Sequence, residues 1–340
     1  MTRGPSPDQV ALIGLAEQIM RGRTSNEQLA TVERSSDRVD RLLWQELSDA
    51  GLVGIAIPQC HGGAGLGLVE LCLLLEVQGR RLAPVPLWET TLLGADALLR
   101  SGTTELQDRW LPGVADGSVQ LSAAVDLAAG TASARDIPHG HLADAVVVPT
   151  ALGAELVETA GLTRTAVLMT NHTLAADLDL DGVAGTPLAG PVDWDRARLG
   201  LAALLLGLAD EGVREAAAHL SGREQFGRPL GTFQATTQQL GDAYCDVQAM
   251  RATLWQAVWA LDNPGSAARR SVEVALWWAV DAAQRVQHTV QHLHGGLGAD
   301  TSYPVHRRLL WTMRAVAQLG SPSRQLARLG AELGEPQILA

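Results

Sequence analysis

Apolar positions along this chain change their period twice. From about residue 7 to 115 they recur at helical spacing. Val10, Leu12, Ile13, Leu15, Ala16 and Ile19 form one stripe, and Val39, Leu42, Leu43, Leu47, Leu52 and Val53 form another after Asp37. Gly51 closes the second helix, and Pro58-Gln-Cys-His-Gly62-Gly63-Ala-Gly65 carries too many breakers to be anything but a loop. Leu68–Arg81 is apolar nearly all round, as a helix surrounded by others would be. Pro84-Val-Pro86 stops it, and two further helices over about 87–100 and 103–116 complete an all-helical N-terminal domain, residues 1–117.

Between residues 118 and 192 the period shortens. Val119–Val125, Ala145–Val148, Ala154–Val157 and Thr165–Met169 are short strand-like runs separated by Gly, Pro, Asn and Asp, which predicts a small β domain. Asp177-Leu-Asp-Leu-Asp181 puts three carboxylates on one face. With nothing else to complete a coordination shell, it reads as a solvated strand edge. From 193 to 340 the helical period returns in four long segments, about 195–221, 232–262, 266–292 and 304–333. Such lengths with short connections predict an antiparallel four-helix bundle. Trp255, Trp259, Trp277 and Trp278 fall in its middle helices, where large rings fill a core or a subunit interface. The expected fold is therefore mostly α with a small β domain in the middle.

Composition removes several functions. A formal net charge of −11 argues against nucleic acid as a partner, so any phosphate ligand needs a local arginine. All 26 basic residues are Arg, which excludes a P-loop lysine and a lysine Schiff base. Cys60, Cys72 and Cys245 lack disulfide or zinc spacing. The N-terminus has no signal-peptide core, and the longest apolar run, Leu199–Ala209, is too short to cross a bilayer. The expectation is a cytoplasmic protein without a membrane segment.

One stretch suggests chemistry. Arg223-Glu-Gln-Phe226-Gly227-Arg228-Pro229-Leu-Gly-Thr-Phe233-Gln234 joins two long helices and holds both phenylalanines of the chain. An Arg beside a glycine turn can grip a phosphate bidentately, and a nearby Phe offers a face to an aromatic ring. A plain interhelical turn with a surface Arg fits the same residues.

Together with two other blocks, this stretch gives the chain a family likeness. Pro58–Gly65 is one block; the other is His294-Gly295-Gly296-Leu297-Gly298, followed by Tyr303-Pro304 and Arg307-Arg308. In this order, and on this element pattern, they resemble the acyl-CoA dehydrogenase family, flavoenzymes that introduce an α,β double bond into acyl-CoA thioesters. The resemblance covers nearly the whole chain. It implies a FAD site to which this chain lends Arg223, Phe226 and Gln234 and, from the next helix end, His292, Gly295 and Gly296. These would hold the pyrophosphate and adenine side of a FAD whose isoalloxazine lies largely in the neighbouring subunit. Where the family usually has Gln, His292 stands here and can still donate a hydrogen bond.

The departures from the family pattern matter as much. The family's base is a Glu after the Gly-Gly block or, in some members, before an Arg at the start of the first bundle helix. The matching positions here are Leu319 and Ala197, neither able to accept a proton. The segments that grip the isoalloxazine correspond to Val125–Thr131 and Val167–Asn171, with no Trp between residues 111 and 193. The resemblance then implies the base-lacking subunit of a heterotetramer, as in bacterial steroid side-chain degradation. A related subunit would bear the catalytic Glu and most of the acyl-CoA site, and an electron-transfer flavoprotein would serve as acceptor. Two alternatives remain at this level. One is a self-sufficient dehydrogenase whose base is relocated to Asp193, Asp195, Asp242, Asp246 or Asp300. Asp193 and Asp195 flank a helix start, where the dipole is expected to lower a carboxyl pKa. The other is a flavin-free structural partner.

Overall fold

Local capping sets the first helices. Ser6 and Ser25 each close a capping box, with Gln9 and Gln28, and open α1 (Pro7–Arg23) and α2 (Asn26–Val32). α2 is an addition to the expected elements. Asp40 accepts from the N–H groups of Leu42 and Leu43 to start α3 (Arg41–Asp49). α4 covers Leu68–Arg81, the bounds that periodicity gives. The expected helix 87–100 is irregular: a π-helical turn, Glu89–Ala95, runs into α5 (Asp96–Ser101). α6 (Thr104–Ala115) is capped by Thr103. This computed structural model describes residues 4–126, 131–132, 135–150, 153–181, 183–263 and 268–333.

The β layer holds β1 (Leu121–Ala123), β2 (Val125–Asp126), β3 (Thr131–Ala132), β4 (Ile137–Pro138), β5 (Ala145–Thr150), β6 (Gly153–Glu158), β7 (Arg164–Leu168), β8 (Leu174–Leu178) and β9 (Thr186–Pro187). One sheet runs β1-β5-β6-β9, with β1 parallel to β5 and Leu121 opposite Ala145; a second runs β4-β8-β7. The acidic run is thereby corrected. Asp177 lies on β8, the middle strand of its sheet, and its carboxylate accepts the Asp136 N–H at 2.8 Å. Asp179 and Asp181 lie beyond the strand end in a turn, where Asp179 caps the Asp181 N–H.

The bundle consists of α7 (Asp195–Gly222), α8 (Gln234–Asp262), α9 (Ala268–His294), α10 (Val305–Leu319) and α11 (Pro322–Leu333). A single fourth helix over 304–333 is not what forms. Gly320 takes φ 97°, which a side chain disfavours, and Pro322 starts a new helix because it has no N–H to continue the old one. Of the four tryptophans, Trp255 and Trp278 lean on the core, whereas Trp259 is 57% exposed on α8.

α7 is the hub. Its Leu199–Ala209 run is wholly buried. α4 crosses it with backbone against backbone: a Cβ on Gly79 would collide with the Leu204 carbonyl, and one on Gly207 with the Glu76 carbonyl. Charged pairs at the same crossing fix its orientation. Glu76 binds Arg80 at 2.9 Å and Arg251 of α8 at 2.7 Å, and Arg80 also reaches Glu17 of α1 at 2.7 Å. The buried Arg307 and Arg308 of α10 hold Glu33 at 2.5 Å and Glu215 at 2.7 Å. Substituting Gly207→Ala is expected to lower stability by about 1–3 kcal/mol through overpacking at this crossing. Gly222→Ala, where nothing lies within 4 Å, should leave it unchanged or raise it slightly. Equal denaturation midpoints for the two variants would refute the close-approach argument.

Candidate functional site

The loop between α7 and α8 is a tight hairpin, β10 (Glu224–Gln225) against β11 (Arg228–Pro229). Its two central residues, Phe226 (φ 54°) and Gly227 (φ 79°), both adopt the left-handed region that a two-residue hairpin of this twist requires. Phe at positive φ is disfavoured, and its ring is 91% exposed. Phe226 meets the Phe233 ring edge-on at 6.1 Å, and the Arg228 guanidinium lies 4.1 Å over Phe233. Arg223 caps α7 and is exposed. Among the described residues its guanidinium has no hydrogen bond or ion pair. Gln234 is exposed at the start of α8.

The turn after α9 ends at the same end of the bundle. His292 is exposed in the last turn of α9. Gly295 (φ 59°) opens a 3-10 turn, Gly295–Ala299. A Cβ on Gly295 or Gly296 would meet nothing within 4 Å. The φ accounts for Gly295, but neither φ nor packing within this chain calls for glycine at 296. An open backbone of that kind admits close approach by a ligand. The hairpin and this turn are joined by His219 of α7 stacked on His294 of α9, ring centroids 4.6 Å apart. All six residues expected to bind cofactor thus gather at one end of the bundle. Arg, open glycine backbone and an exposed ring suit a diphosphate and an aromatic base.

Leu319 and Ala197 lie at the opposite end. Ala197 and Arg223 are 26 positions apart on or beside one continuous helix, a separation of roughly 40 Å. Both Leu319 and Ala197 are buried, at 0% and 1% exposure. One polar network ties them together. Arg198 binds the Glu273 carboxylate at 2.8 and 3.0 Å and Gln325 at 3.2 Å, and Gln325 donates to the Leu319 carbonyl at 2.5 Å. The Trp88 indole N–H donates to the Ala197 carbonyl at 2.8 Å. Asp195 corrects the expectation for an acid at a helix start: its pKa is raised, by burial and then by the charge of Asp193. Of the two stretches compared with the isoalloxazine-gripping segments, residues 127–130 lie outside the described residues. In the other, Asn171 is buried and accepts from Thr173 at 2.9 Å.

Where the N-terminal helices, the β layer and the bundle meet, there is a cleft of about 50 Å³ walled by Trp88, Trp311, Leu201 and Leu204. Ligand pockets for drug-sized molecules run to several hundred Å³, so this cleft has no room for an isoalloxazine. It contains a pair that the sequence does not announce, Glu89 in the π turn and His139 (φ 49°), 3.8 Å apart, with Arg314 beside them. Burial pushes the Glu89 carboxyl up to about 7, opposed by a hydrogen bond to its own backbone and by Arg314. Burial, His141 and Arg314 push His139 down to about 3. Among the described residues no three candidate metal ligands converge, and no helix is long and apolar enough to cross a membrane.

The helical, β and helical layers, with a phosphate-ready loop end, are those of a flavin-dependent acyl-CoA dehydrogenase. Family models agree: the acyl-CoA dehydrogenase N-terminal domain matches residues 6–118, and the C-terminal domain matches residues 193–333. The chain is 35% identical to acyl-CoA dehydrogenase FadE27 of Mycobacterium tuberculosis, covering 95% of this chain and 96% of that one. A chain of the Tcur3481-Tcur3483 steroid ACAD (G363A variant) superposes with a TM-score of 0.90 at 41% identity, covering 96% of this chain and 98% of that one. A chain of the ChsE4-ChsE5 complex from Mycobacterium tuberculosis superposes with a TM-score of 0.92 at 32% identity, covering 98% and 99%. This protein therefore belongs to the acyl-CoA dehydrogenase family, oxidoreductases whose cofactor is FAD.

Glu89 gives a sign-specific prediction. Its folded pKa of about 7 exceeds the ordinary value of 4.5, so the folded state holds the extra proton. Its contribution is fully present below about pH 4.5 and falls by about 3 kcal/mol as pH rises to about 7. His139, lowered instead, loses stability in the other direction, as pH falls through its own window. Comparing Glu89→Gln with the wild type isolates the carboxyl. The variant is expected to match the wild type near pH 4.5 and exceed it above about pH 7, by about 3 kcal/mol. A pH-independent difference in urea midpoints would contradict the assignment.

Proposed function

We propose that this chain is the base-lacking subunit of a heteromeric, FAD-dependent acyl-CoA dehydrogenase. Arg223, Phe226, Gln234, His292, Gly295 and Gly296 contribute the pyrophosphate and adenine side of a FAD seated mainly in a related subunit that carries the catalytic Glu. A FAD bound there would supply the hydride acceptor for α,β-dehydrogenation, and the Glu of the related subunit would supply the base. In this chain, Arg223 supplies charge and a two-pronged donor, Gly295 and Gly296 give backbone access, and Phe226 offers a ring face. The substrate is an acyl-CoA held chiefly by the partner. Likeness to a steroid ACAD favours a steroid side chain as its acyl group. An electron-transfer flavoprotein is the acceptor in this reading.

The observation that carries the proposal is the separation of the two ends. Arg223 and the base positions 197 and 319 lie at opposite ends of α7, roughly 40 Å apart, beyond the span of one dinucleotide. A FAD on Arg223 therefore faces the chemistry of another chain. Three further features agree: the exposed, unpartnered Arg223, the unexplained glycine at 296, and the cleft too small for an isoalloxazine. The purified chain alone is expected to be colourless and inactive, and the co-purified complex yellow, with fewer flavins than chains. Arg223→Ala should weaken FAD binding to that complex by about 10- to 150-fold, the worth of a charge-assisted phosphate contact. Oxidation of an acyl-CoA by the chain alone would sink the idea.

One observation favours a self-sufficient enzyme, the raised pKa of Asp195. Arg198 already occupies that carboxylate at 2.9 Å, which opposes its use as a base. Turnover by the complex is expected to survive Asp195→Asn, and loss of turnover with FAD still bound would favour the relocated base.

A further inference from the structure

Two histidines outside the half-site just described stand where its two strands of chain meet. His219 lies in the last turn of α7, four residues before Arg223, and His294 is the last residue of α9, directly before Gly295. Their rings stack at 4.6 Å with planes inclined by 27°. His294 Nδ1–H donates to the Val290 carbonyl at 2.7 Å, because a carbonyl can only accept. Nε2 of His294 is then a bare acceptor. It is buried with no hydrogen-bond partner, in a residue 4% exposed. An unpaired buried acceptor is costly, and an imidazole nitrogen can relieve that by taking a proton. The carbonyl ends of α7 and α9 favour positive charge in this place.

What holds the proton off is equally visible. Burial lowers the pKa of His219, and His294 and the Arg223 guanidinium lower it further. The other charged groups nearby are paired or exposed. Glu215 of α7 is engaged by Arg308 of α10 at 2.7 Å, and His306 is bonded through Nδ1 to the Tyr303 carbonyl at 2.7 Å. The Tyr303 ring lies 5.6 Å from His294. His292 and Asp300 are exposed, and Asp300 is bonded to Ser302. Among the described residues Arg223 alone in this set is a permanent cation without a carboxylate partner.

We propose that His219 and His294 are further members of the dinucleotide site, a stacked pair that takes up one proton when a diphosphate binds Arg223. This rests on the cross-interface reading of Arg223. The incoming anion offsets the guanidinium charge that disfavours an imidazolium, and solvent supplies the proton. Only one proton is taken up, because a second would place like charges on stacked rings. FAD held across the interface is thereby bound more tightly at acid than at alkaline pH.

The test uses this chain co-purified with its flavin-bearing partner, stripped and titrated with FAD, followed by flavin fluorescence from about pH 6 to about pH 8, the histidine range. Affinity is expected to fall by about three- to tenfold per pH unit over part of that range, one proton setting the upper limit. His219→Asn and His294→Asn should each flatten the slope while still binding FAD. A flat wild-type profile, or variants that keep the wild-type slope, would overturn the proposal. A second measurement works in the isolated chain. Arg223→Ala should move the His219 NMR titration upward, and an unmoved midpoint overturns it too. If Arg223→Ala leaves FAD affinity intact, the cross-interface reading fails; if affinity drops but the wild-type slope is flat, only the proton linkage fails.

Discussion

A buried α-helix cannot be shortened or bent at will, and α7 is such a rod. Its Leu199–Ala209 face is closed all round, by α4 at Gly79 and Gly207 and by the rest of the bundle. A fixed rise of about 1.5 Å per residue then sets its two ends apart. Every residue proposed for phosphate recognition is at one end, and positions 197 and 319 are at the other. The division between what this chain offers outward and what it keeps packed is therefore a property of one helix, from which the loops hang.

The two ends are built on opposite principles. At the loop end, polar and aromatic groups are left unsatisfied by the chain itself: an exposed guanidinium, a phenylalanine ring held in solvent by a strained turn, and a glycine that no neighbour requires. At the far end, most polar groups bond within the chain, although the buried Arg198 Nε has no hydrogen-bond partner. Arg198, Glu273 and Gln325 satisfy one another and the Leu319 carbonyl. A surface that binds from outside must keep its valences open, whereas a core must close them.

Much of this was legible in the sequence, because long amphipathic helices declare their period and their breakers. α4 has the bounds that periodicity gives, and α7 begins at its expected residue. That the loop-end residues lie close together was legible because they are local, within twelve positions of one loop or at the end of one helix. What escaped depends on contacts between distant positions or on backbone detail. The π turn at Glu89 has no side-chain signature. The Glu89–His139 pair spans 50 positions in two different layers, and the His219–His294 stack spans 75. Asp177 looked like an edge residue because alternation gives a strand's faces but not its neighbours. The dipole argument for Asp195 failed because burial outweighs it.

The packing around Leu319 limits what a mutation can place there. Its side chain fills the core, while its carbonyl is tied through Gln325 to Arg198, the neighbour of Ala197. An acid placed at either position would arrive in a buried site whose neighbouring Arg198 is already bound to Glu273 and Asp195. Burying an unpaired carboxylate costs several kcal/mol, a large part of the whole stability margin of a domain. A single substitution is therefore a poor route to an acid in this place, because the neighbours bonded to Arg198 and to the Leu319 carbonyl would have to rearrange with it.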